Sequence, residues 1–119
     1  AKRKRIEAAV AKYHAAFATR RLGDMVDPGK HRAFLVAADA GAGKVAGTDL
    51  YDCTSSFAAS VIHAGLLKDG ESGVIEVQKN LVRQDRKFIG SPRHGINSTN
   101  YSGYARGCSL RLLERIPEN

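Results

Sequence analysis

Apolar positions along the chain change their period several times, and each period predicts an element. Ile6, Val10, Tyr13 and Phe17 are spaced by four, three and four, which lines one stripe of an amphipathic helix over residues 2–21. Six alanines between positions 8 and 18 add helix propensity, and Gly23 is a plausible stop. Ala33 to Ala38 is a short apolar run bounded by turn residues and predicts a strand. Val74 to Gln78 alternates, with Val74, Glu76 and Gln78 on one side and Ile75 and Val77 on the other, and predicts a second. The segment 79–87 predicts a loop before Phe88 and Ile89. Ile96 to Tyr101 and Ser109 to Leu113 predict closing strands, with Ser102-Gly103 and Arg106-Gly107 read as turns. Asp27-Pro28-Gly29 predicts a turn or linker.

Residues 57–64 stand apart because they are apolar nearly all round. Phe57, Val61 and Ala64 share one helical face, Ala58 and Ile62 the next, and only Ser60 and His63 are polar. Such a helix is normally buried. Ser55 and Ser56 can supply an N-cap oxygen. Gly65 fits the left-handed C′ position, which puts Leu66 over Val61 in a Schellman ending. The rest of the chain is expected to wrap around this helix.

At 119 residues with 43% hydrophobic content, the chain is expected to form one domain with a modest core. No stretch is apolar enough for a transmembrane helix, and no secretory apolar run follows the basic start. The formal charge of +7 changes the picture through its placement. It is +6 over residues 1–34, −4 over 35–78, +4 over 79–93 and +1 beyond. Basic clusters of this kind point to an anionic partner, either an acidic protein surface or nucleic acid, against the alternative of a solvated face. The candidate partner-binding residues are Lys2, Arg3, Lys4, Arg5, Arg20 and Arg21, with Val10 and Phe17 as apolar anchors. A second set is Lys79, Arg83, Arg86 and Lys87. The first helix has three competing uses: packing on its own domain, docking into a partner's groove, or touching a polyanion directly.

Candidate chemistry is sparse. His14, His31, His63 and His94 have no metal-ligand spacing with one another or with Cys53 and Cys108, so no metal or cofactor is expected. Gly43-Lys44 after a strand invites a phosphate-loop reading. Ala38 stands where that motif needs its first glycine, and Val45 where it needs Ser or Thr. His63 reads as a neutral buried histidine bonded to a backbone carbonyl. A pairing of Cys53 or Ser55 with His63 has no third group or oxyanion motif beside it. Cys53 and Cys108 are either two free thiols in a reducing compartment or one bridge from the central loop to the last strand. Asn97-Ser98-Thr99 and Asn100-Tyr101-Ser102 fit the glycosylation pattern, which matters only for a secreted chain.

Several short motifs occur in an order that resembles the LCCL domain, a module named after Limulus factor C, cochlin and a late-gestation lung protein. They are Gly47-Thr48, Tyr51, Ser55-Ser56 and His63-Ala64-Gly65, then Gly70 and Gly73 before Val74 to Val77, then Gly90-Ser91, Gly95-Ile96 and Ser98. The resemblance covers roughly residues 34–112. It implies an α+β fold, a central buried helix wrapped by short, mainly antiparallel strands, here with an added N-terminal amphipathic helix. Residues 1–30 are then an extension and linker, and 31–119 the LCCL-like domain. The resemblance also implies that Gly47, Thr48, Tyr51, Ser55, Ser56, His63, Gly65, Gly90, Ser91, Gly95 and Ile96 are structural, and that the module is not an enzyme. The chain departs from the family in two places. Ala58 replaces a usual cysteine, with none before Cys53, so the family's two disulfides are not expected. His94 replaces the usual Asn before Gly95.

The expected function is a non-catalytic interaction or structural module, a subunit of a larger intracellular or organellar assembly that docks on other proteins through the basic helix. The alternative is a secreted or periplasmic module that recognises an anionic glycan or lipid.

Overall fold

A computed structural model describes residues 7–8, 12–15 and 20–116. Among the described residues, ten strands pack with a short buried helix, and Leu22–Asp24 form a 3-10 turn. In chain order they are β1 (His14–Ala15), β2 (His31–Ala37), β3 (Gly47–Thr48), β4 (Leu50–Asp52), α1 (Phe57–His63), β5 (Ser72–Lys79), β6 (Gln84–Phe88), β7 (Pro92–Arg93), β8 (Ile96–Asn97), β9 (Tyr101–Ala105) and β10 (Gly107–Ile116). Six strands form a sheet in the order β1-β2-β5-β10-β4-β3, antiparallel except for the β1–β2 pair; β6–β9 and β7–β8 are separate two-stranded ribbons.

Period-two alternation sorts the sheet's side chains. Phe34, Val36, Ile75, Val77, Leu110 and Leu112 pack with α1 in the main core, while Leu35, Val74 and Ile116 form a smaller cluster on the other face. The alternation expected for residues 74–78 is observed. Ile116 reaches the outer cluster because the register slips by one residue between Leu112 and Glu114. An irregularity of this kind moves every later side chain to the opposite face. Beside that cluster, Glu76 takes His31 at 3.2 Å and Arg111 at 3.2 Å.

All seven residues of α1 are buried, as expected for a helix without a polar face. The Ser56 hydroxyl accepts the Ala59 N–H at 3.2 Å. At the other end Gly65 has φ +78°, its N–H reaches the Ile62 carbonyl at 2.9 Å, and the Leu66 N–H reaches Val61 at 3.0 Å. These two bonds define the Schellman ending.

Three expectations are corrected. A helix running through residues 2–21 is interrupted: Glu7, Ala8 and Lys12 are helical, but His14 and Ala15 pair in parallel with Phe34 and Leu35. The exposed edge of β2 offers that segment backbone partners, and sheet pairing overrides alanine propensity there. Tyr13 packs against the Leu35, Val74 and Ile116 cluster, so this part of the stripe serves the chain's own domain. Second, residues 84–88 do not loop out; they pair with β9. Third, Ser102-Gly103 lies within β9, not in a turn. The Ile96 to Tyr101 strand is correspondingly divided between β8 and β9. The 27–30 turn is as expected, with Gly29 at φ +77° and the Lys30 N–H on the Asp27 carbonyl at 3.1 Å.

Candidate functional site

The motif residues converge on one buried network that ties α1, β4 and the segment 89–99 together. His63 is fully buried. Its Nε2 lies 2.8 Å from the Ser91 carbonyl, and its Nδ1 lies 2.9 Å from the Tyr51 hydroxyl. A carbonyl can only accept, so Nε2 carries the proton, Nδ1 accepts, and Tyr51 donates. The Thr48 hydroxyl donates to the Ile89 carbonyl at 2.9 Å, which leaves Ser91 Oγ to donate to Thr48 Oγ1 at 2.6 Å. Ser98 Oγ accepts the Ser91 N–H at 2.7 Å and donates to the Ser91 carbonyl at 3.1 Å. Ser55 works just ahead of β3: its Oγ accepts the Ala46 N–H at 3.0 Å.

Tyr51, His63 and Ser91 therefore lie in sequence along one chain of bonds, yet the geometry is unlike a nucleophile and its base. His63 meets the backbone oxygen of Ser91, with Ser91 Oγ farther off at 3.5 Å, and the nitrogen facing Ser91 is already protonated. Neither Cys53 nor Ser55 is bonded to His63: they turn to Cys108 and Ala46. Burial raises the Tyr51 phenol above its ordinary value, partly offset by a backbone hydrogen bond from Asp49. The phenol is thus held as a neutral donor.

Two signature glycines permit the close approach. A Cβ on Gly47, whose φ is +104°, would run into the Leu50 carbonyl, and one on Gly90 would run into the Ser98 carbonyl and the Thr99 backbone. Between β7 and β8, His94 at φ +52° and Gly95 at φ +82° form a two-residue hairpin loop with both residues left-handed, as a type I′ turn requires. Asn tolerates that conformation best after glycine, and His94 adopts it here. Ile96 is buried beside α1. The eleven expected signature residues thus fall at caps, turns, close approaches and buried contacts.

The cationic candidates fall elsewhere. Lys2, Arg3, Lys4, Arg5, Val10 and Phe17 lie outside the described residues. Arg20 and Arg21 are exposed beside α1, where the Arg20 carbonyl accepts the Phe57 N–H at 3.0 Å. Lys79 is half-buried, and its ammonium donates to the Gly23 carbonyl at 2.8 Å. Arg83 precedes β6 and is exposed with Lys87, while Arg86 falls on the opposite face of the strand, its Nε buried.

The β6–β9 ribbon and the residues flanking β6 also expose side chains absent from the sequence-based candidates. Val82 and Tyr104 are each 59% exposed, Leu81 67% and Ile89 62%. The Arg83 guanidinium lies 5.1 Å from the Tyr104 ring centre and donates to the Tyr104 carbonyl at 2.9 Å. Arg106 Nε donates to the Leu81 carbonyl at 3.2 Å. At the other end the buried Phe88 ring meets Tyr101 at 6.1 Å. The buried Nε of Arg86 has no hydrogen-bond partner among the described residues. Tyr101 and Tyr104 three apart, opposite a basic run, were the available signal; reading Ser102-Gly103 as a turn concealed it.

Among the described residues no three His, Cys, Asp or Glu side chains are grouped to hold a metal ion, and no helix is long and apolar enough to cross a membrane.

Comparison with curated proteins finds no match. Comparison with family models matches residues 22–108 to the LCCL domain. The matched span begins at Leu22, which is fully buried in the main core, and it contains every signature residue of the buried network. The chain belongs to the LCCL domain family, a family of non-catalytic modules.

Proposed function

We propose that the chain is an interaction module that docks on an acidic surface of another protein through the β6–β9 ribbon, aided by its basic N-terminal segment, within a larger intracellular or organellar assembly. The observation that carries this reading is the division of labour between side chains. The family's polar signature is consumed in internal bonds, while the ribbon presents exposed Leu81, Val82 and Tyr104 next to Arg83, Lys87 and Arg106. Aromatic and arginine side chains anchor protein interfaces, and cations around them attract an acidic partner and speed encounter.

Photo-crosslinkers at Val82 and Tyr104, introduced in the source cell, test the reading. They are expected to trap one stoichiometric protein partner, and crosslinkers at Leu113 to trap none. Arg83→Glu with Lys87→Glu is expected to release the chain from its particle, and raised salt is expected to loosen the wild type, because exposed charges are screened within about 8–10 Å. Wild-type occupancy in the double variant would exclude the ribbon as the docking face.

One observation favours a second reading, a secreted or periplasmic module that recognises an anionic glycan or lipid on the same ribbon. The Cys53 and Cys108 sulfurs lie 3.2 Å apart, and cysteines so placed persist as cross-links in oxidising compartments. Salt-sensitive binding of the purified chain to sulfated oligosaccharide or to phosphatidylglycerol vesicles, lost in Arg83→Glu, would select it.

A further inference from the structure

The two cysteines come from opposite halves of the chain, 55 positions apart, and each is held from its own side. Cys108 sits in β10 opposite Tyr51, with its side chain fully buried in the main core. Cys53 follows β4 directly. Its carbonyl accepts the Gly23 N–H at 2.9 Å, and its Cβ packs so closely on Gly23 that a side chain there would meet it at 2.7 Å. With both backbones fixed, the sulfurs face each other at 3.2 Å, and Cys53 Sγ also lies 3.1 Å from the Arg106 carbonyl. A disulfide needs about 2.05 Å between sulfurs, so an approach of roughly 1 Å closes it.

We propose that Cys53 and Cys108 form an intrachain disulfide when the folded chain meets a protein or small-molecule disulfide oxidant, stapling the loop that caps α1 to the strand that leads out of the ribbon. The inference does not rest on the ribbon's role. The roles of the two sulfurs differ. Cys53 is partly exposed and Cys108 is not, so Cys53 receives the oxidant. The hydrogen bond from Cys108 lowers the Cys53 thiol below its usual range, and Lys79 and Arg106 add to this against the opposing effects of burial and Asp52. Donating that bond, together with burial, raises the Cys108 thiol. The Cys53 thiolate attacks one oxidant sulfur. A mixed disulfide forms, the oxidant's own S–S bond breaks, and its other sulfur leaves as thiolate and takes up a proton. Cys108 then loses its proton and attacks Cys53 Sγ, expelling the second oxidant sulfur. The chain has lost two protons and two electrons, and the oxidant has become a dithiol or two thiols. The Cys53 contact with the Arg106 carbonyl is given up in the product, which exchanges one tie to the ribbon's exit for a covalent one at Cys108.

The test uses the full chain, folded and reduced, in glutathione buffers of increasing oxidised fraction. Samples are quenched with a thiol-alkylating reagent and measured by intact and peptide mass spectrometry. The expected result is joint loss of both thiols, a mass lower by two hydrogens, a Cys53–Cys108 linked peptide, and a monomer throughout. The oxidised wild type should melt at a higher temperature than the reduced form, with no such difference in Cys53→Ala. In Cys108→Ala, Cys53 should stop at the mixed disulfide with glutathione. Should either variant fail to fold, the wild-type mass measurement decides alone. Two free thiols in the folded chain under the most oxidising buffer, or Cys53 carrying glutathione with Cys108 still reduced in the wild type, would overturn the proposal.

Discussion

Around α1 the hydroxyls and ring nitrogens of Tyr51, His63, Ser91, Thr48 and Ser98 bond to one another and to backbone carbonyls, whereas on the β6–β9 ribbon Tyr104, Val82, Leu81 and Lys87 face outward. The first region spends its polar groups on internal bonds. The second carries none of the family motifs and is open. The residues that carry the family resemblance in the sequence are thus those that hold the 89–99 segment to the core, and the exposed apolar and cationic side chains lie on the ribbon and its flanks. A two-stranded ribbon is marginal in water by itself. Here Phe88 is buried at one end, and Arg83 and Arg106 bond backbone carbonyls at the other, so the open surface remains shaped.

Substitutions in the two regions should differ in kind, and the largest effect is expected where backbone meets backbone. Gly90→Ala forces a Cβ into the Ser98 carbonyl and Thr99, neither of which is a movable side-chain tip. A loss of about 3 kcal/mol or more in urea denaturation is expected; a loss below about 1 kcal/mol would mean that the close approach is not required. Gly65→Val follows, at about 2 kcal/mol, because φ is +78° and the new Cβ would meet His94 Nε2 at 2.9 Å. Thermal melting checks it.

Tyr51→Phe removes the donor to His63 Nδ1 and strands a buried acceptor, at about 1–3 kcal/mol. It also carries a pH signature. The phenol's value is raised on folding above its usual 10.0 by burial. Its contribution is therefore fully present below the unfolded value and is lost as pH rises from there through the folded value. The wild type should lose its advantage over Tyr51→Phe above about pH 10; a parallel pair of stability curves would contradict the assignment. Ser60 is the exception inside the first region. It is fully buried and its hydroxyl has no partner among the described residues. Ser60→Ala should therefore stabilise, by up to about 1 kcal/mol, in the same denaturation assay. The smallest effect on stability is expected on the ribbon, where Lys87→Glu should stay within about 0.5 kcal/mol while binding is weakened.

The contrast also explains what was legible in the sequence. Caps, turns and buried periodicity are local, so α1, its Ser56 cap, its Gly65 ending and the faces of β5 could be read directly. A buried His63 on a backbone carbonyl could be read from its place in an apolar helix, but the identity of that carbonyl, Ser91, could not. It depends on the β7–β8 hairpin folding back across α1. Residues 14–15 were misread because alanine propensity is local and the free edge of β2 is not. The ribbon was half legible. Arg83, Arg86 and Lys87 stood out by charge, while Tyr104 and Arg106 join them only through the β6–β9 register, Asp85 opposite Tyr104 and Gln84 opposite Ala105.

Hydroxyl-radical footprinting of the chain in its source particle, set against the purified chain, tests this division most directly. Protection is expected at Leu81, Val82 and Tyr104 in the particle, with Tyr51, Phe57 and His63 equally unreactive in both samples. An unprotected ribbon, or a Tyr51 and His63 network that is reactive in the free chain and protected only in the particle, would contradict it.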